Sequence, residues 1–494
     1  MLTIGIDLGT SAVKLLLMQD GGEILNIVTK DYPIDYPRPG WSQQNPQDWW
    51  TAVLAGIPEL LHGHDASQVR AIGAGGQMHG LVALDQSGAV LRPAILWNDG
   101  RTQKQVEYLN NTIGKDKLSQ YTANIAFAGF TAPKLLWMRE NEPALFQKID
   151  KIMLPKDYIN YRLTGVHSTD YSDASGTLLL DVAHKRWSRE MLEICGVTES
   201  QLPRLYESWE PVGMVLPEIA EKLGLPAGVL VCAGAGDNAA AAVGCGVAGG
   251  GRCNISLGTS GTVFITSDTF GTDRQNALHS FVHADGGYHL MGCILSAASC
   301  NKWWLEDIVG TVDFQSEQAP ITPEKLGKND VYFLPYLMGE RSPHNDPAAR
   351  GAFTGLRMDT SRADMTQAVL EGVAFAIRDC VEVARAQGIA IKASRICGGG
   401  AKSELWRTIL ANVLAIPLEL PQTEQGPGYG GAMLAAVACH AFRDIKECAQ
   451  ALTKVKSVTS PDPQLVEAYD HRYQLWKKLY PTLKPIFQEA ANLS

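Results

Sequence analysis

The 494-residue sequence has no unbroken apolar run long enough to cross a bilayer, and residues 1–20 lack the charged start, apolar core and small-residue cleavage site of a secretory leader. A soluble, cytoplasmic protein is expected, with no membrane partner. Basic runs are also missing. With 43 Lys and Arg against 52 Asp and Glu, the formal net charge is −9, which argues against nucleic acid or an anionic membrane surface as the main partner. Ten cysteines are present but no C-x-x-C pair stands at zinc spacing, and Cys232, Cys397 and Cys439 lie inside apolar runs. They read as small core residues kept reduced. The absence of G-x-x-x-x-G-K-[ST] excludes a Walker-type nucleotide site. Polyphosphate ligands stay open, because backbone amides and a metal hold them without a basic surface.

What is present is a globular composition, 45% hydrophobic and 19% charged, in a chain long enough for two domains of about 200–250 residues each. At its middle, Val231–Gly246 sets one carboxylate, Asp237, and its neighbour Asn238 among small and apolar residues. Gly234 and Gly236 open a tight turn after an apolar strand (228–233), and the alanine run that follows predicts a closely packed helix. Asp237 is then either a general base facing a cleft or only the cap of that helix.

The opening residues predict an antiparallel meander, 2–7, 12–18 and 23–30, bent at Gly9-Thr10-Ser11 and Gly21-Gly22. Asn45-Pro46 starts a helix to about His62, and further helices are expected over 363–387, 403–414, from 426 onward and over 465–479. Leu8-Gly9-Thr10-Ser11 recurs as Leu257-Gly258-Thr259-Ser260, each time between two apolar strands. The echo predicts two domains of one fold, each offering a Gly-Thr-Ser turn to a shared cleft.

Asp7 precedes the first of these turns, where loop amides grip phosphate oxygens and a carboxylate holds hydrated magnesium. Asp-x-Gly-Thr also occurs in aspartic proteases, but the second carboxylate of such a pair would fall on Ser256. Gly398-Gly399-Gly400, between a strand and a helix, admits a base or sugar against the backbone, or is an ordinary tight turn. Gln77-Met78-His79-Gly80 sits at a glycine-rich bend, where the imidazole suits a polyol hydroxyl and the methionine its carbon face; a lone structural histidine is the alternative. Trp97-Asn98-Asp99-Gly100-Arg101 suits sugar recognition or a charged turn.

Taken in order, Asp7–Thr10, Gly236-Asp237-Asn238, Leu257–Ser260 and Gly398–Gly400 resemble the FGGY family of carbohydrate kinases. Gly129-Phe130-Thr131-Ala132-Pro133-Lys134-Leu135-Leu136-Trp137 and Gly351-Ala352-Phe353-Thr354-Gly355-Leu356, followed by Asp364-Met365 and Ala368–Glu371, are similar to that family's signatures, and the likeness spans about residues 1–485. Within the family, Gln77–Gly80 and Trp97–Arg101 resemble members acting on D-xylulose, whereas a glycerol kinase would show an Arg-Glu pair and a double arginine there.

The resemblance implies an α/β fold of two actin-like (ribonuclease-H-like) domains, 1–246 and 247–445, with a helical tail over 446–494 and ATP in the cleft between the domains. It implies Asp237 as catalytic base, Met78, His79, Asp237 and Asn238 against the sugar, and Asp7 on Mg²⁺. Gly9, Thr10, Gly258, Thr259 and Ser260 would hold phosphates, and Gly399 and Gly400 would line the ribose and adenine. Lys14 is read either as reaching a phosphate or as an exposed structural lysine. Glycines at 428 and 431 depart from the family's alanines and are expected to loosen the nucleotide side. A homodimer is the assembly expected. The rival readings are a family kinase of the ribulose or gluconate type and a non-enzymatic actin-like ATPase.

Overall fold

The computed structural model describes residues 1–273, 275–422 and 425–493. Strands β1 (Leu2–Leu8), β2 (Ala12–Gln19) and β3 (Ile24–Asp31) form the expected antiparallel meander. Along β2, Leu15 and Leu17 enter one buried cluster while Leu16 and Met18 enter another, so the sheet is covered on both faces. Next come β4 (Val69–Gly76), β5 (Pro211–Met214), β6 (Leu230–Cys232) and β7 (Ala235–Gly236), completing a 7-stranded sheet of order β5-β6-β4-β1-β2-β3 in which β7 also pairs with β4.

The second half builds β8 (Arg252–Leu257), β9 (Gly261–Ser267), β10 (His279–Val282), β11 (Tyr288–Ile294), β12 (Ala393–Cys397), β13 (Leu418–Pro421) and β14 (Val455–Thr459), in the order β10-β11-β9-β8-β12-β13-β14. The two sheets share one plan. In each, an antiparallel hairpin and third strand lie to one side of the first strand, and two parallel strands lie to the other. Leu8–Ser11 and Leu257–Ser260 occupy the same hairpin turn of the two copies. This is the doubling that the internal echo implied, in the actin-like form that the resemblance implied.

Helix α1 (Asp237–Gly244) follows β7, α2 (Ala298–Lys302) follows β11, and α3 (Gly426–Ala438) follows β13. The helix at Pro46–Leu60 begins as expected, with the Asn45 side chain accepting from the Gln47 N–H, and the long helix Arg362–Ala386 carries a capping box between Ser361 and Asp364. The expected division at 246, 445 and 446 meets a different path near its end. By chain position α3 would belong to the second half, yet it packs on the first sheet and on α1.

Glycines make that approach possible. A Cβ on Gly5 would lie 1.8 Å from the Gly428 carbonyl oxygen, one on Gly73 2.2 Å from the Gly431 oxygen, and one on Gly430 1.8 Å from the Ala240 oxygen of α1. Gly428 and Gly431 therefore sit in a seam between helix and sheet. A Cβ on Gly431 would itself lie 2.5 Å from the Gly73 oxygen, whereas one on Gly428 would meet nothing closer than 3.5 Å, so it is the glycine at 431 that the seam requires. The rest of the tail divides: Ile445, Cys448 and Leu452 join the core beneath α3, β14 extends the second sheet, and α4 (Pro463–Trp476) and α5 (Leu479–Leu493) bury Tyr469, Trp476 and Phe487 in the second core.

The chain first crosses between halves through Gly246, Gly249 and Gly251, all at positive φ, where side chains would be strained. The halves also touch along β10. The Asn124 amide donates to the Ser280 carbonyl and accepts from its N–H, and the Val282 N–H donates to Ser175 Oγ. Substituting Gly430→Ala should cost about 1–3 kcal/mol or more in urea unfolding through overpacking, whereas Gly399→Ala, whose Cβ meets nothing within 4 Å, should leave the midpoint nearly unchanged. Equal midpoints for the two variants would contradict the seam.

Candidate active site

Three neighbouring strands end at one edge. Asp7 and Leu8 of β1 lie beside Gly75 and Gly76 of β4, and Gly76 lies beside Gly236 of β7. Because all three run parallel, the segments that leave their carboxyl ends emerge together: Gly9-Thr10, Gln77-Met78-His79 and Asp237-Asn238. Carboxyl ends of parallel strands are where such sheets open toward ligands. The structure thus gathers Asp7, Gly9, Thr10, Lys14, Met78, His79, Asp237 and Asn238 at one edge.

Asp237 is the first residue of α1, with Gly236 in the cap position, and its Oδ1 accepts from the Asn238 N–H at 2.7 Å. It is therefore not the cap. Burial pushes its carboxyl up to about 7, the Asn238 N–H opposes the shift, and the neighbouring Asp7 adds to it. Asp7 is itself raised to about 6 by burial against the pull of Lys14, its partner across the β1–β2 pair. The Lys14 ammonium also donates to Gln425 Oε1 at 2.8 Å, which ties the start of α3 to this corner.

Both Gly-Thr-Ser turns point their carbonyls inward. The Gly9 carbonyl accepts from Tyr32 Oη and Gln77 Nε2, and the Thr10 carbonyl from Gln44 Nε2 at 2.7 Å. In the second copy the Gly258 and Thr259 carbonyls accept from the N–H groups of Ala298 and Ala297 at 2.9 Å, at the start of α2. In a trans peptide the N–H lies opposite the carbonyl, so the amides of Thr10, Ser11, Thr259 and Ser260 are turned outward. Each turn thus offers a short row of donors suited to phosphate oxygens.

On the second half a cavity of about 1110 Å³ is lined by Gly258, Thr259, Gly399, Gly400, Phe314 and Trp406, among others. Gly400 is closed on one side, since a Cβ there would meet the Trp406 ring at 2.8 Å, while Gly399 is open. The sugar-side candidates lie elsewhere. Met78 Sδ is 3.8 Å from Asn238 Nδ2, and His79 holds a positive φ of 70° with its carbonyl clamped by Thr131 and by the buried Lys134 at 2.7 Å.

His79 Nδ1 lies 2.6 Å from the Gly176 carbonyl, and its ring packs on Phe130. A carbonyl only accepts, so Nδ1 carries the proton and Nε2 is left as an acceptor. Burial, with Lys134 nearby, lowers the imidazole to about 3, so it is neutral at working pH.

Local reading of the sequence missed a buried ionic cluster behind Asp237. Lys156 Nζ lies 2.7 Å from Asp157, 2.9 Å from Asp170 and 3.6 Å from Asp173, all fully enclosed. Burial works against the ammonium, but the three carboxylates, Asp157 most of all, hold it charged. One cation does not satisfy three acids. Asp173 is pushed well above the usual carboxylate range by burial, Lys156 only partly opposing, so it keeps its proton. Asp170 Oδ2 accepts from Ser172 Oγ and Ser208 Oγ, and Ser172 Oγ in turn accepts from the Gly236 N–H at 3.2 Å. The cluster thereby holds the residue preceding Asp237. The spacing of Asp170 and Asp173 was visible in the sequence, but their convergence on Lys156 was not.

A doubled actin-like fold, with an acid at a phosphate-type turn and a second raised acid beside it, defines a phosphotransferase of the sugar-kinase class. The chain belongs to the FGGY family of carbohydrate kinases: the family's N-terminal domain model matches residues 2–244 and its C-terminal domain model residues 253–439. It is 42% identical over 485 residues to the xylulose kinase of Escherichia coli (strain K12), covering 98% of this chain and 99% of that protein. A crystal structure of xylulose kinase from Rhodospirillum rubrum superposes with a TM-score of 0.92 at 29% identity, over 99% of this chain and 100% of that one. A gluconate kinase from Lactobacillus acidophilus matches equally well, with a TM-score of 0.92 at 27% identity over 99% of both chains.

Lys156→Met leaves Asp157, Asp170 and Asp173 without their cation and should lower stability by about 3–5 kcal/mol in denaturant unfolding; a loss within error would remove the cluster from the account. Asp237→Asn should act in the other direction. The Asp237 carboxyl is raised in the folded chain from an ordinary 3.8 to about 7, so its ionisation weakens the fold as pH rises through that window. The variant should melt higher than the parent at pH 8, with the advantage shrinking below pH 7 and gone below pH 4; a pH-independent difference would refute the linkage.

Proposed function

We propose that this protein transfers the γ-phosphoryl group of ATP to the 5-hydroxyl of D-xylulose, giving D-xylulose 5-phosphate. Full-length likeness to xylulose kinases supports this reading. The observation that carries its chemistry is Asp237, a carboxylate raised to about 7 at the strand edge it shares with Asp7, Met78 and His79. A base of that strength accepts the proton of an attacking hydroxyl near neutral pH without being permanently protonated. Asp237 would accept the 5-hydroxyl proton as the oxygen attacks phosphorus in line, and Asn238, Met78 and His79 would orient the sugar.

The outward amides of Thr10 and Ser11 and of Thr259 and Ser260 would hold the phosphates from the two halves and stabilise charge that develops on them. Gly399 and Gly400 would line the ribose and base, and Lys14 would lend positive charge at the Asp7 corner. Asp7 suits Mg²⁺. The carboxylates at this edge are hard oxygen donors, and among the described residues no group of three or more His, Cys, Asp or Glu forms a protein cage. That is the donor set of an ion that keeps most of its water and takes phosphate oxygens. When bound, the ion would neutralise charge on the phosphates. Closure of the halves about the glycine crossing would exclude water that competes for the phosphoryl group. Among the described residues no helix is long and apolar enough to cross a membrane.

ADP release with Mg-ATP should be stimulated most, by kcat/KM, by D-xylulose in a panel with D-ribulose, L-ribulose, L-xylulose, gluconate and glycerol. Asp237→Ala should reduce kcat by roughly 10²–10⁴-fold while ATP binding persists. The acid limb of kcat/KM should fall near pH 7, since Asp237 works only when deprotonated. Preference for another polyol would overturn the substrate, and a fully active Asp237→Ala enzyme would overturn the base.

A further inference from the structure

The second half sends one cation toward the sugar side of the cleft that none of these roles uses. Arg341 lies within a loop closed by backbone hydrogen bonds exchanged between Glu340 and Asp346, and the next N–H, that of Ser342, is fixed on the Cys293 carbonyl at 3.0 Å. From that anchor the guanidinium reaches across to the first half. Its Cζ lies 4.7 Å from the ring centre of Phe127, and Nη2 is 2.7 Å from His279 Nε2. Phe127 and Phe130 pack on His279 at 5.0 and 5.5 Å, and Phe130 packs on His79 at 4.7 Å. From Asp237-Asn238 the contacts pass to Met78-His79, on to Phe130, and through His279 to Arg341, a row that spans the two halves.

The charge of Arg341 is not compensated. Arg101, Arg395 and Arg472, similarly enclosed, pair with Asp99, Glu419 and Glu371. Arg341 has no ion pair among the described residues, and its buried Nε has no hydrogen-bond partner. The adjacent Glu340 carboxylate accepts from the Arg341 backbone N–H instead. The one side-chain partner, His279, is a neutral ring acting as acceptor, because a guanidinium only donates.

We propose that Arg341 is a specificity-determining residue that donates to a carbonyl oxygen at the end of the sugar remote from Asp237. The proposal rests on the kinase reading above, with the reacting hydroxyl at Asp237. A five-carbon chain laid along the row then ends between His79 and Arg341. His79 Nε2 accepts only and takes a hydroxyl proton; Arg341 donates only and takes an oxygen without one. Together they read a hydroxyl beside a carbonyl, the α-hydroxyketone of a ketose. A pentitol carries a hydroxyl at the carbonyl position; its oxygen can still accept from the guanidinium, but its added proton needs an acceptor of its own, and His279 Nε2 beside the guanidinium is already occupied by Arg341. Because Arg341 and His79 come from different halves, the carbonyl contact also links sugar recognition to closure.

The test compares D-xylulose with xylitol and D-arabinitol, the two pentitols that differ from it only by reduction of the carbonyl. ADP release is followed in the parent enzyme, Arg341→Met and Arg341→Lys. The parent should favour the ketose, and Arg341→Met should raise the KM for D-xylulose at least about tenfold while leaving the pentitol constants and the KM for ATP near parental values, so that the ketose-to-pentitol ratio collapses. Arg341→Lys, which retains a donor, should recover part of the ratio and carries the comparison if the methionine variant does not fold. An unchanged ratio in either soluble variant, or an equal loss for ketose and pentitols, would overturn the proposal while leaving the kinase reading standing. A parent enzyme that phosphorylates no ketopentose would instead overturn the kinase reading itself.

Discussion

Backbone against backbone, with no side chain between, is the contact on which the site depends. Gly5 and Gly73 of the first sheet meet Gly428 and Gly431 of α3, and Gly430 meets Ala240 of α1, at separations that no Cβ would permit. Close approach brings the helix and strand backbones into dispersion contact and leaves no gap for water. It also sets the height of α1 above the sheet, and α1 begins with Asp237. A bulkier seam would lift that helix and part Asp237 from Asp7. The parallel register of β1, β4 and β7 brings the two acids to one edge, and the chain returns from its second half to pack α3 against that sheet and α1.

Two acids at one edge repel, and the protein accepts that cost in a controlled way. Asp7 faces Lys14, which limits its rise, whereas Asp237 faces only the Asn238 N–H and the charge of Asp7. The buried Lys156 cluster lies behind, joined to the chain just before Asp237 through Ser172 and Gly236. Burial pushes Asp173 well above the usual carboxylate range with the single ammonium only partly opposing, so the cluster adds less negative charge near Asp237 than its composition suggests. A buried cluster of this kind is weak as a source of stability but strict about geometry.

The features legible in the sequence were those whose chemistry is local. Gly9-Thr10-Ser11 and Gly258-Thr259-Ser260 are turns because glycine and short hydroxyl residues bend a chain between strands, and the repeat of the pattern implied the doubled fold. Asp237 stood out as one carboxylate among small and apolar residues, although the local pattern left it open between a base and a helix cap. What was hidden depends on partners far apart in the chain. Gly431 read as looseness when taken alone, and only Gly73 opposite it gives its meaning. Lys156 and Asp170 are ordinary residues until the fold sets them 2.9 Å apart. His79 was identified, but its tautomer follows from the Gly176 carbonyl, which no local pattern could supply.

The two sides of the cleft are made of different materials. Where the nucleotide would lie, the turns and the glycines at 399 and 400 offer backbone, beside side chains such as Phe314 and Trp406. Backbone presents the same groups whatever the surrounding side chains, so that side suits a ligand shared by a whole family. The proposed sugar side is made of side chains, in which Met78, His79, Asn238 and Arg341 would each contribute one contact and Phe130 packs behind His79. A gluconate kinase and a xylulose kinase superpose on this chain with the same TM-score of 0.92, so the fold does not carry the choice of sugar. The choice rests on whether a few donors and acceptors match the oxygens presented to them. A neutral imidazole and an uncompensated guanidinium, one from each half, are complementary in what they accept and donate. Such a pair rejects a wrong sugar by leaving a polar group unmatched in a buried place, which discriminates more strongly than a difference in shape.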